Sequence, residues 1–136
     1  MSYLSKINTF LDNNKSIGIF LLRLFIGFRL IYGVIDNIFS WEKMLEFSKF
    51  LESSGLPLPI VGAVSSVYLQ FFCSIFLILG IKIRFVAFLL ALNFLVAIGV
   101  HISLNDSIEG TTPALAIFFG CVTIVFTGSG KTAISA

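Results

Sequence analysis

Apolar residues along this chain gather into four long blocks separated by short polar stretches. The blocks cover about 16–39, 58–81, 85–104 and 111–128, and the last three contain no Asp, Glu, Lys or Arg. Each approaches the roughly 20 residues that a helix needs to cross a bilayer. The pattern predicts an all-α fold: one polytopic membrane domain over 1–136, built as a four-helix bundle. The second and third blocks are joined by little more than "KIR", and the third and fourth by "NDSIEG". Links this short make neighbouring helices antiparallel. The one long connection, "SWEKMLEFSKFLESSGLPLP", reads as an amphipathic outer helix over about 41–53. Ser40 is placed to cap it, Trp41, Met44, Leu45 and Leu51 fall on one side, and Gly55 with Pro57 stops it. Ahead of the first block, Leu4, Ile7, Phe10 and Leu11 recur at helical spacing. Either a short helix on the membrane surface or a frayed terminus accounts for them. Asp12 in this stretch argues against a cleavable signal peptide.

Composition supports the membrane reading. The chain is 57% hydrophobic and 12% charged, with a mean hydropathy of +1.03. A soluble domain has about 45–50% apolar and about 25% charged residues, so there is too little polar surface here to cover a globule. Charge then orients the bundle. Lys6, Lys15, Lys82, Arg84 and Lys131 fall on one side; Lys43 and Lys49 fall on the other with Glu42, Glu46, Glu52, Asp106 and Glu109. By the positive-inside rule both termini are expected in the cytoplasm and the protein in the cell's inner membrane.

Several chemistries do not fit. The closing "TGSGKT" resembles the end of a phosphate-binding loop, but Val125 stands where the first glycine belongs, and only four residues follow Thr132. No nucleotide is therefore expected; "TGSGK" reads as the point where the fourth span ends and Lys131 meets headgroups. The net charge of +2 forms no basic patch for nucleic acid. Cys73 and Cys121 lie in different spans without a C-x-x-C, and the single histidine cannot build a zinc or bis-histidine haem site alone. No metal and no intrinsic cofactor are expected.

The candidate chemistry lies in polar residues placed within the spans. Arg29, Tyr32 and Asp36 have the spacing i, i+3, i+7 of one helix face, and Gln70 and Asn93 lie near the middles of the second and third spans. A central Arg costs about 2.5–3.5 kcal/mol on insertion and usually faces the bundle interior. Arg29 is therefore expected to meet Gln70 and Asn93 at mid-depth. Tyr32, Asp36 and His101 would line a route to the outer face, with Asp106 and Glu109 at its rim. The same amides and hydroxyls also serve as packing glue between membrane helices, and Arg23 as a snorkelling interfacial anchor.

The motifs in order add a resemblance. "LLRLFIGFRLIYG", an outer "GLPLP", then "LILGIKIRFVAFLLALNFLVAIGVH" and a closing "GSGK" resemble the DoxX family of small four-helix membrane proteins. The L-L-R-L-x-x-G opening spans 21–27, Leu79, Gly80 and Arg84 supply L-G-x-x-x-R, and Gly128, Gly130 and Lys131 supply G-x-G-[KR]. That family takes its name from a membrane component of a thiosulfate:quinone oxidoreductase. The resemblance thus implies a quinone-adjacent or redox-accessory role, with a partner protein carrying the redox centre. Many relatives have His, Lys and Glu where this chain has Tyr32, Asp36 and Gln70. Two readings stay open: an accessory or small-ligand-binding subunit, with quinone as the implied ligand, and a structural or assembly subunit whose outer helix docks a partner. A lipid or small-molecule carrier fits less well, because four spans without a repeat rarely give alternating access.

Overall fold

The computed structural model describes residues 2–131, 133 and 134; Thr132, on which the phosphate-loop comparison turned, lies outside them. The described residues form α1 (Tyr3–Asn13), α2 (Lys15–Phe39), α3 (Trp41–Ser53), α4 (Pro59–Leu79), α5 (Ile83–Ser103) and α6 (Ile108–Thr127). Helices α2, α4, α5 and α6 are long and apolar enough to cross a membrane. They close a ring: α2 packs on α4 and α6, and α5 packs on α6 and α4. Helix α3 lies against α4 and α2 at the end opposite the chain termini.

Local chemistry sets the boundaries. Ser40 Oγ accepts from Lys43 N at 3.3 Å and starts α3. Ser107 Oγ accepts from Gly110 N at 3.0 Å, so α6 begins at Ile108 rather than near 111. Gly80, at φ +80°, ends α4 one residue past Leu79, ahead of the expected 81. Helix α1 is capped by Ser2, whose Oγ accepts from Ser5 N at 3.2 Å, and none of its residues is buried. The packed face of α3 is Met44, Ser48 and Leu51; Trp41 and Leu45, expected to share it, are exposed.

Among the described residues, two apolar clusters make up the core. One, in the half nearer the termini, joins Ile26, Leu30, Cys73, Leu77, Leu90 and Cys121 with their neighbours. The other joins Val34, Met44, Leu51, Ala63, Val67 and Val100 beneath α3. Along α4 the clusters are separated between Val67 and Cys73, and along α5 between Ala91 and Val100.

The end holding the termini is fastened by Arg23. This residue is fully buried, not a snorkelling anchor. Its Nε donates to Leu77 O at 2.9 Å, Nη2 to Ile78 O at 3.2 Å and Nη1 to Ser129 O at 3.4 Å. The last carbonyls of a helix lack intrahelical donors. Here Ile81 N turns back to Phe76 O, which leaves Leu77 O and Ile78 O for the guanidinium. Gly27, one turn further along α2, lies so close to α4 that an added Cβ would come within 3.1 Å of Ser74 O. Gly128, at φ +76°, ends α6 with the Arg84 guanidinium packed against it.

Candidate functional site

The gap between the two clusters is polar. Gln70 Nε2 donates to Ser66 Oγ at 3.0 Å, and Ser66 Oγ donates to Asn93 Oδ1 at 2.8 Å. Gln70 and Ser66 are stacked one helical turn apart on α4, facing Asn93 on α5. The arrangement leaves Gln70 Oε1 and Asn93 Nδ2 without a protein partner among the described residues.

These three residues line a cavity of about 840 Å³ bounded by α2, α3, α4 and α5. That volume lies within the roughly 300–1,000 Å³ of small-molecule pockets. Much of its wall is apolar: Val34, Phe47, Leu51, Val67, Leu89 and Phe94 are examples. Toward α3 it becomes polar, where Asp36, Asn37, Lys43, Glu46 and His101 line it. Asn37 Nδ2 donates to Lys43 O at 3.1 Å and so holds the end of α2 to α3. Lys43 and Glu46 form an exposed ion pair at 3.5 Å.

His101 is fixed from two sides. Its Nδ1 lies 2.7 Å from Asp106 Oδ2, and its ring lies 6.1 Å, centroid to centroid, from that of Phe50. Asp106 Oδ1 in turn accepts from Ser107 N at 2.8 Å. The hydrogen bond from His101, and then that from Ser107, hold the Asp106 carboxyl below the usual carboxylate range. Asp106, expected at the rim of the route that His101 lines, is thus joined to His101.

Of the six residues singled out in the sequence, the cavity brings together Asp36, Gln70, Asn93 and His101. Arg29 and Tyr32 are not among them. The inward face of α2 is Arg23, Ile26, Gly27, Leu30 and Val34, and Arg29 and Tyr32 lie on a different face, both exposed. The expected meeting of Arg29 with Gln70 and Asn93 therefore does not occur. Arg29 instead lies along its own helix, with its guanidinium carbon 5.9 Å from the centre of the Tyr32 ring. Ser66 is the residue whose importance the sequence understated. In the sequence, Ser66 and Ser74 lie one helical turn on either side of Gln70 with nothing to set them apart; Ser74 is fully buried with no partner for its hydroxyl among the described residues.

Comparison with family models matches residues 18–102 to DoxX. The chain belongs to the DoxX family. Together with the four apolar helices, membership makes it a multi-pass integral membrane protein. Comparison with curated proteins gave no match, and comparison with solved structures gave none. Within this DoxX chain the residues that carry the family resemblance have a shared structural task. Arg23, Gly27, Arg84 and Gly128 all pack the end that holds the termini. The cavity occupies the other half, where this chain has Asp36 and Gln70.

Proposed function

We propose that this DoxX protein is a small-ligand-binding accessory membrane subunit that takes an amphiphilic molecule into the cavity beneath α3. The observation that carries the reading is the pair of amide ends, Gln70 Oε1 and Asn93 Nδ2, left unused on the wall of a largely apolar cavity. Both residues are half-buried, and each hydrogen bond a ligand makes to them contributes about 0.5–1.5 kcal/mol, so a ligand that meets both gains affinity and orientation. A quinol suits both, one hydroxyl oxygen accepting from Asn93 Nδ2 and the other hydroxyl donating to Gln70 Oε1, while the oxidised quinone keeps only the bond from Asn93 Nδ2; in either form the tail follows the apolar wall. The His101–Asp106 pair would then pass protons between the head group and the outer face. The chain has no redox centre of its own in this reading, and electrons come from or go to a partner protein.

The inner membrane with both termini cytoplasmic is the orientation that the basic residues support, since Lys6, Lys15, Lys82, Arg84 and Lys131 gather at one end. A cysteine replacing Ser53 is then labelled from outside the cell; protection there inverts the topology.

Titration of purified protein with a short-chain quinone tests the ligand. Wild type is expected to bind saturably, and Asn93→Leu to bind several-fold to about tenfold more weakly for the loss of one hydrogen bond of about 0.5–1.5 kcal/mol. Equal affinity in both proteins removes the amides from the site. Failure of wild type to bind any quinone favours the alternative, an assembly subunit that docks a partner through α3.

A further inference from the structure

Helix α2 presents a second face that takes no part in the cavity's apolar wall. At 100° per residue, Phe25, Phe28, Arg29, Tyr32, Asp36 and Phe39 fall on one side of it, and all six are exposed. The aromatic members suit lipid, but the two charges do not. Arg29 lies near the middle of a 25-residue helix. Neither its guanidinium nor the Asp36 carboxylate has a hydrogen-bond or ion-pair partner among the described residues. Lys43, the other charged cavity residue of opposite sign to Asp36, is already paired with Glu46. Facing lipid, the mid-helix Arg29 charge would cost about 2.5–3.5 kcal/mol, while Asp36, three residues from the helix end and at the cavity's polar side, offers the opposite charge.

We propose that this stripe is the interface of a parallel two-fold homodimer, in which Arg29 of each copy pairs with Asp36 of the other. Copies inserted the same way in one membrane are related by an axis along its normal, so each residue lies at the depth of its twin. Such a contact is self-complementary, and each pair occurs twice. The depths agree. Seven residues separate Arg29 from Asp36, about 10 Å along the helix. The Arg29 guanidinium already extends toward Asp36: Nη1 lies against Gly33, 3.0 Å from where a Cβ would be. That covers about 6 Å of the interval, and the Asp36 side chain leans back toward the helix N-terminus by its own geometry. Gly33 also leaves room for the guanidinium beside a second helix. An unrelated helix bearing one carboxylate would satisfy Arg29 and leave Asp36 uncovered, whereas a second copy satisfies both.

The test uses two differently tagged full-length chains. Arg29→Asp alone places like charges together in both pairs, as does Asp36→Arg alone, and each is expected to lose self-association in co-purification. Mixed in one membrane, the two variants regain both opposite-charge pairs, and each is expected to recover the other. A variant that fails to accumulate is bypassed by cross-linking. In a Cys73→Ser/Cys121→Ser chain, Tyr32→Cys is expected to give an oxidised species of twice 15.0 kDa in native membranes. Leu95→Cys, exposed on α5, is expected not to. No cross-link from Tyr32→Cys, a cross-link to a protein of different mass, or undiminished self-association of both single variants would overturn the proposal.

Discussion

Replacing Arg23 by Leu removes the fastening at the end of the bundle that holds the termini, and its cost follows from the geometry. Two bonds are short, Nε to Leu77 O at 2.9 Å and Nη2 to Ile78 O at 3.2 Å. Hydrogen bonds to charged groups contribute about 1.5–3 kcal/mol each, which gives about 3–6 kcal/mol for the two. The Ser129 O contact, at 3.4 Å, is too long to add much. Leucine also relieves the burial of a charge, which returns part of the loss. The net destabilisation is therefore about 3–5 kcal/mol, with two α4 carbonyls left without donors. Arg23→Lys keeps the charge but not the planar fork that serves several carbonyls together, and is expected to lose roughly half as much. Reversible unfolding in mixed micelles, followed by helical circular dichroism, measures both. An Arg23→Leu variant within about 1 kcal/mol of wild type, the ordinary range of tolerated substitutions, would refute the reasoning.

Other changes separate the roles of the two halves. Gly27→Ala forces a Cβ toward Ser74 O and is expected to destabilise by about 1–3 kcal/mol, in the same unfolding assay, without altering ligand affinity. Gly110→Ala places a Cβ against the Asp106 carboxylate, which must shift and is expected to weaken its contact with His101; a change in the imidazole NMR shift reads this out, and an unchanged shift would contradict it. The Asp106 carboxyl is held below its ordinary value in the folded protein, so its contribution is complete above the unfolded value. It is lost as pH falls through the lower folded one. The His101–Asp106 contact is thus expected to persist through the neutral range and disappear only in strong acid, followed by the same NMR signal; loss near neutrality would contradict it.

The apolar blocks made the four spans legible, because length and lack of charge alone specify a membrane helix. Ser40, placed before a run of amphipathic spacing, gave the start of α3 for a similarly local reason. The site was legible in part. Gln70, Asn93 and His101 stood out as polar residues within apolar helices, but their partners depended on which face each helix turns inward. For α2 two faces competed. Arg23, Ile26, Leu30 and Val34 repeat at core spacing, yet the more central Arg29 drew attention from the fully buried Arg23. Depth along a helix can be counted from sequence; rotation about its axis is set by the tight approach of Gly27 to α4 and by bonds between distant residues such as Arg23 and Leu77. The link from Ser66 to Asn93 is likewise a product of helix rotation, not of spacing.

The most direct test of the account is mass spectrometry of organic extracts from protein purified in mild detergent, comparing wild type with folded Asn93→Leu and Arg29→Leu variants. A near-stoichiometric amphiphilic small molecule is expected in wild type. It should be retained in Arg29→Leu, because Arg29 lies outside the cavity, and depleted in Asn93→Leu, which removes a donor from its wall. Bulk lipid alone in all three samples, or a bound molecule indifferent to Asn93 and lost with Arg29, would contradict it.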